Sequence, residues 1–319
     1  MAFSTATNAH LIRSNLWSNQ LKEAFLDDLM GVQYVDYLSD FPDGDTINIP
    51  SIGQAEVQDY AENEQVRYTA MDTGNFTFTI NKYKSAGTYI TAKMRQDSMY
   101  AARLEASFVP KQARALAKAV EIDVLNTGPD GQTASNTNSI NGAIHRWVAS
   151  GTNEVIVPKD FALARYALEK ANVPMTNLVA IVDPSVGYAL ETMTNLVNIS
   201  NNPAWGGIVA TGNRTGMRFI HNIYGFDVYT SQNLKSGIAE TISGSPNGTA
   251  VTAGVANLFF SAAPDAKPFV GLVRQQPRVD SEWNKDFQRE EYVTTMRYGH
   301  KLYRPENMVV ILSDTDQVS

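Results

Sequence analysis

Apolar residues return at helical spacing near the start of the chain. Leu16, Leu21, Phe25 and Leu29, with Trp17 and Leu26 beside them, form a stripe that predicts an amphipathic helix after a polar arm, with Gly31 as its stop. The pattern then changes. Pro42, Asp43 and Gly44 make a turn, and in NFTFTINKYKSAGTYIT the residues Phe76, Phe78 and Ile80 alternate with Thr77 and Thr79, as in a strand. Two long strands are predicted, joined by an extended polar segment near residues 53–72. That segment holds few large apolar residues, so it must rest on something other than itself.

The longest helical signal covers residues 97–126. Val109, Leu116, Val120 and Val124 line one stripe, extended by Leu104 and Phe108. At 1.5 Å per residue such a helix reaches about 45 Å. Pro110 inside it predicts a kink or the first turn of a second helix, and Thr127-Gly128-Pro129 predicts its end. A polar loop follows. DFALARYALEKANV reads as a helix with Ala162, Leu163, Tyr166 and Leu168 inward, and LVAIV as a short buried strand. Asp183-Pro184-Ser185 starts another helix, with Asp at the N-cap and Pro at the first helical position. From residue 203 onward the pattern is loop and strand, with glycine-rich WGGIVATGNRTG read as a surface loop.

Composition removes function classes. The 319 residues include no cysteine, which excludes disulfides, thiolate catalysis and Cys-based metal sites. The four histidines (His10, His145, His221 and His300) show no metal-ligand spacing, there is no Walker lysine after the glycines, and no G-x-S-x-G elbow. The sequence predicts no enzyme, no cofactor and no metal. No run of about 18 apolar residues predicts a membrane span. The net charge of −7, without a basic cluster, predicts that a nucleic acid would be enclosed and not tightly bound.

The order of elements is arm, long two-stranded excursion, one long helix, α/β lobe and final long strand pair. Together with MRYGHKLYRPENMVVI, ARALAKAVEIDVLNTG, LVAIVDPSVGYALE and IYGFDVYTSQNL, it resembles tailed-phage major capsid proteins of the Hong Kong 97-type fold, over nearly the whole chain. The resemblance implies an α+β fold with an N-terminal arm at 1–40 and an E-loop hairpin at 41–92. It implies a peripheral domain at 93–155 and 275–319 carrying a spine helix at 97–126, and an axial domain at 156–274. It implies copies of the chain arranged in hexamers and pentamers as an icosahedral head shell around double-stranded DNA. A portal protein and decoration protein are implied as partners, with assembly in the host bacterial cytoplasm. Some family members carry an N-terminal scaffolding segment. Here the helical region begins near Asn15, so a separate scaffolding protein, or none, is expected. Others weld subunits through an E-loop lysine, and residues 45–75 contain none. Two further readings are an encapsulin-type compartment shell and a tail or decoration protein. The long helix weighs against the latter.

Charge supplies candidate contacts between subunits. Residues 45–75 carry a net −5, residues 93–118 a net +4. The acidic loop, with Glu56, Asp59, Glu62 and Glu64 beside the single Arg67, is expected to meet basic residues of an adjacent subunit. Arg103, Arg114, Arg278 and Arg289 are the candidates. Opposite charge would steer docking and register more than supply affinity.

Overall fold

The computed structural model describes residues 29–38, 46–52, 57, 59, 62, 63, 65, 73–97, 101–192, 219–246 and 250–314. The arm, most of its predicted helix and the glycine-rich loop near residue 206 lie outside these.

Two sheets share one long helix. The first has four strands in the order β1 (Val35–Tyr37), β11 (Phe269–Asn284), β12 (Arg289–Leu302) and β4 (Lys82–Thr91). The second has seven. Its path is β5 (Arg146–Val148), β13 (Val309–Asp314), β10 (Ala250–Ser261), β6 (Leu178–Val182), β8 (Phe226–Thr230) and β7 (Phe219–Ile223), and β9 (Ile238–Thr241) pairs with β10. A separate hairpin joins β2 (Thr46–Ile52) to β3 (Thr73–Thr79) in antiparallel register, Thr46 opposite Thr79 and Ile52 opposite Thr73.

The seven-stranded sheet is buried on both faces, which is why its central strands are continuously apolar. Alternate residues feed two cores. Val309 and Ile311 of β13, with Phe259 of β10 and Ala180 of β6, pack under Phe161 of α3 (Pro158–Lys170) and Val186 of α4 (Pro184–Thr192). Val310, Leu312, Leu258, Phe260 and Ile181 face the other way, toward the long helix α2 (Ala101–Asp130). Residues 309–314, placed by the resemblance with the peripheral range, therefore hydrogen-bond inside this sheet, next to β10. Phe161, Phe226 and Phe259 meet edge to face.

The start of α3 is tied down by Asp160. Its buried carboxylate accepts the backbone N–H of Val157 at 3.0 Å and of Ser150 at 3.1 Å, and the indole N–H of Trp147 at 3.2 Å. The start of α4 follows the Asp-Pro-Ser signal, with the Asp183 carboxylate accepting the Ser185 N–H at 2.9 Å.

Several expectations need correction. The long helix begins four residues later than predicted and continues to Asp130, because packing outweighs the local stop signals. Gly128 lies against Leu258 and Met308, and the Gly131 N–H closes the last turn on the Thr127 carbonyl at 2.9 Å. The helix also runs through Pro110, whose ring is exposed. Leu116, Val120 and Val124 are buried as their spacing predicts, but Val109 is 38% exposed. In α3 the inward face is Phe161, Ala164, Ala167 and Leu168, while Tyr166 is 47% exposed. Gly31 opens a 3-10 turn, Gly31–Tyr34, and the helix predicted to stop there lies outside the described residues. NFTFTINKYKSAGTYIT divides at Ile80-Asn81 into two strands of different sheets. A short helix α1 (Ala92–Asp97) follows the second of these.

Candidate assembly surface

The four-stranded sheet lies on α2, and polar side chains fix the fit. Gln112 is buried in the helix. Its Nε2 donates to Thr88 Oγ1 at 2.6 Å and to the Tyr292 carbonyl at 3.1 Å, and its Oε1 accepts from the Thr294 hydroxyl at 2.7 Å. About three turns along, the Tyr298 hydroxyl donates to Asp123 Oδ2 at 2.5 Å, and Lys82 stands 3.6 Å from Asp123 Oδ1. Burial, then the Asp123 carboxylate, push the Tyr298 phenol above its ordinary range. Glu121, with no exposed surface, accepts the N–H of Met30 at 3.0 Å and of Gly31 at 2.8 Å. Its carboxylate thus holds the chain where the N-terminal segment joins the body.

The β2–β3 hairpin is rooted on the same sheet. Phe78 and Ile80 are buried against Leu272 of β11. Phe76 meets Tyr303 edge to face at 5.0 Å, and Lys301 donates to the Thr77 carbonyl at 2.6 Å while lying over the Phe76 ring. Gly299 is required beneath this crossing. A Cβ there would stand 3.2 Å from Ile80 Cα and from the Phe78 ring. Beyond the root, every described residue of the connecting segment is exposed, and Val57 is 95% exposed. A rooted hairpin with an apolar residue held in solvent presents a surface without a cover in its own described chain.

A family model described as phage capsid protein matches residues 75–311. That range takes in the hairpin root, the long helix and every strand of the two sheets except β1, with β13 included as far as Ile311. The chain belongs to the phage capsid protein family. No curated protein matches the sequence. Solved structures that it resembles come from phages, and several are described as capsids. The capsid of Cyanophage P-SCSP1u aligns over 95% of this chain and 93% of that one, with a TM-score of 0.72 and 16% identity. Mycobacterium phage Che8 covers 94% and 97%, at 0.68 and 19%. The mature capsid of bacteriophage PhiM1 covers 96% and 93%, at 0.69 and 12%. At these identities the likeness is one of fold, the Hong Kong 97-type α+β capsid fold. The chain is a structural protein, a major capsid protein of the phage head shell. The family match favours the phage-shell reading over the compartment-shell and tail-protein alternatives.

The charged residues of this capsid protein divide by environment. Asp59 and Glu62 are exposed on the segment between β2 and β3. Glu56, Glu64 and Arg67 lie outside the described residues. Arg103 belongs to α2, with its side chain outside the described part. Arg114 is half-buried on the same helix, between exposed Lys111 and Lys118, and spacings of three and four put the three on one face. Arg278 is exposed but pairs with Asp280 of its own strand at 2.9 Å. Arg289 is occupied too. Its guanidinium sits 4.6 Å from the ring centres of both Tyr89 and Phe287, and its Nε donates to Glu291 at 2.6 Å. That hydrogen bond holds the Glu291 carboxyl below its ordinary range. The residues that sequence reasoning passed over are Gln112, Glu121 and Asp123. Each interrupts the polar or apolar rhythm of the helix, and only a partner from another element explains it.

Proposed function

We propose that this capsid protein assembles by laying the acidic segment between β2 and β3 on the basic face of α2 in an adjacent copy. The observation that carries the reading is the exposure of Val57, Asp59 and Glu62 beyond a hairpin root that is itself firmly packed. Lys111, Arg114 and Lys118 offer the complementary charge. Arg278 and Arg289 each already have a carboxylate within 3 Å. Exposed pairs contribute only about 0–1 kcal/mol each, so the contact acts through repetition around the shell and through register.

In the same reading, residues 1–40 are the arm and 41–92 the E-loop. Residues 93–155 with 275–319 are the peripheral domain, and 156–274 the axial domain. Copies form hexamers and pentamers around double-stranded DNA, with a portal protein and a separate scaffolding protein, in the host cytoplasm. Decoration proteins would bind the finished shell.

The test is charge reversal. Glu62→Lys with Glu64→Lys is expected to impair assembly at low salt and to respond to salt differently from wild type. Assembly equal to wild type at low salt would remove the acidic segment from the contact.

A further inference from the structure

The two edges of the four-stranded sheet differ. Beyond the three residues paired with β1, no strand among the described residues covers the outer edge of β11, but that edge is protected. Pro277 removes a donor, and the register with β12 breaks between Val273 and Gln275 and again between Gln275 and Arg278. Bulges and proline are the usual devices that keep an edge from pairing with another chain. The opposite edge, β4, has neither bulge nor proline, although it carries Lys82 and Lys84 near one end. Its ten residues pair with β12 without a break, from Lys82 opposite Tyr298 to Thr91 opposite Arg289. Among the described residues no strand pairs with its outer side. Among the described residues the β2–β3 hairpin forms a two-stranded sheet of its own, and its root packs on Leu272.

From this asymmetry we propose that β4 pairs, antiparallel and about a two-fold axis at Ala86, with β4 of a second copy. The inference rests on the shell-forming reading and adds a specific contact to it. Antiparallel pairing keeps facing residues on the same side of the sheet, so only registers whose facing residues share a face are open. Centring on Ala86 sets Tyr83 of each copy opposite Tyr89 of the other. These tyrosines are 64% and 57% exposed on the face away from α2. Two aromatic cross-strand pairs would thereby be buried, one on each side of the axis. Charge agrees with the same register. Tyr83 has Arg297 beside it on β12, and Tyr89 has Glu291. The joined row would run Glu291, Tyr89, then Tyr83 and Arg297 of the second copy. On the helix side, Lys82 would come opposite Ile90 of the second copy, beside its Glu290. No like charges face one another across the axis, and Gly87 and Ser85 leave room between the tyrosine pairs.

The absence of native cysteine makes the test clean. Facing side chains in such a pair have Cβ atoms about 4.5–5.5 Å apart, within reach of a disulfide or nearly so. Residue 83 of one copy and residue 83 of the other would be about 20 Å apart along the strands. Shells carrying Tyr83→Cys with Tyr89→Cys, oxidised with copper phenanthroline, should give dimers on a non-reducing denaturing gel and nothing larger. Each single variant should stay monomeric. Shells that form but give only monomers, a ladder of larger species, or dimers from a single variant would overturn the pairing while leaving shell formation intact. Should that variant not assemble, Ser85→Cys with Gly87→Cys tests the same register. Wild-type shells give an independent reading by hydrogen exchange. Amides of residues 84–88 should slow by about tenfold or more on assembly, and unchanged exchange overturns the proposal.

Discussion

Both carboxylate oxygens of Glu121 accept the backbone N–H of Gly31, each at 2.8 Å, in a site with no exposed surface on the glutamate. Met30 adds a third bond at 3.0 Å. A buried charge is stable only where donors surround it, and here the chain leading to the N-terminal arm supplies them. Glu121→Ala would leave these donors unsatisfied in the interior. It should destabilise the subunit by about 2–4 kcal/mol, read from urea denaturation, and loosen protection of the amides near residue 31. A loss under about 0.5 kcal/mol would show that water replaces the carboxylate at little cost.

Gly299 lies beneath the hairpin root, where a Cβ would stand 3.2 Å from both Ile80 Cα and the Phe78 ring, tighter than an ordinary contact. Gly299→Ala should cost about 1–3 kcal/mol, because backbone and a packed ring must both shift. The effect should be local. Hydrogen exchange in β2 and β3 should rise, while β10 and β13 keep wild-type protection.

His300 lies half-buried beside Tyr37, with Nε2 3.4 Å from the phenol oxygen. Burial lowers its pKa from 6.5 to about 4. The sign follows directly. The unfolded chain binds the proton first, so stability is fully present above pH 6.5 and is lost as pH falls toward 4. His145, buried with Nδ1 3.1 Å from the Ala143 carbonyl, is lowered in the same direction. His300→Asn should flatten part of the fall in stability between pH 6.5 and 4. A variant whose acid dependence matches wild type would show that His300 does not contribute.

Shells boiled in denaturant should run as one band near the 35.1 kDa subunit, since cysteine is absent and residues 45–75 hold no lysine. A ladder of multimers would mean a covalent bond formed by other residues.

Much of this fold is written in local pattern. The α2 stripe of Leu116, Val120 and Val124, the strand LVAIV and the Asp183-Pro184 helix start all follow from periodicity and capping. What periodicity misses is decided at a distance. Pro129 reads as a stop, yet Leu258 and Met308 pack the last turn into helix. Tyr166 reads as core from its neighbours, yet Phe161 and Ala164 take the inward positions. The candidate contacts were half legible. Their charges are plain in the sequence, but Arg278 with Asp280 and Arg289 with Glu291 are same-face neighbours two apart on a strand, visible only once the strands are known. Glu121 is hidden more deeply, because nothing in a helix announces that its carboxylate will meet the backbone ninety residues away.

The central claim is that the exposed acidic segment is covered by a neighbouring subunit. Electron cryomicroscopy of the assembled shell tests it directly. Asp59 or Glu62 of one copy should lie within about 4 Å of Lys111, Arg114 or Lys118 of the next, the distance that defines an ion pair. A segment folded back on its own subunit, with the α2 face of the neighbour left to solvent, would contradict the account.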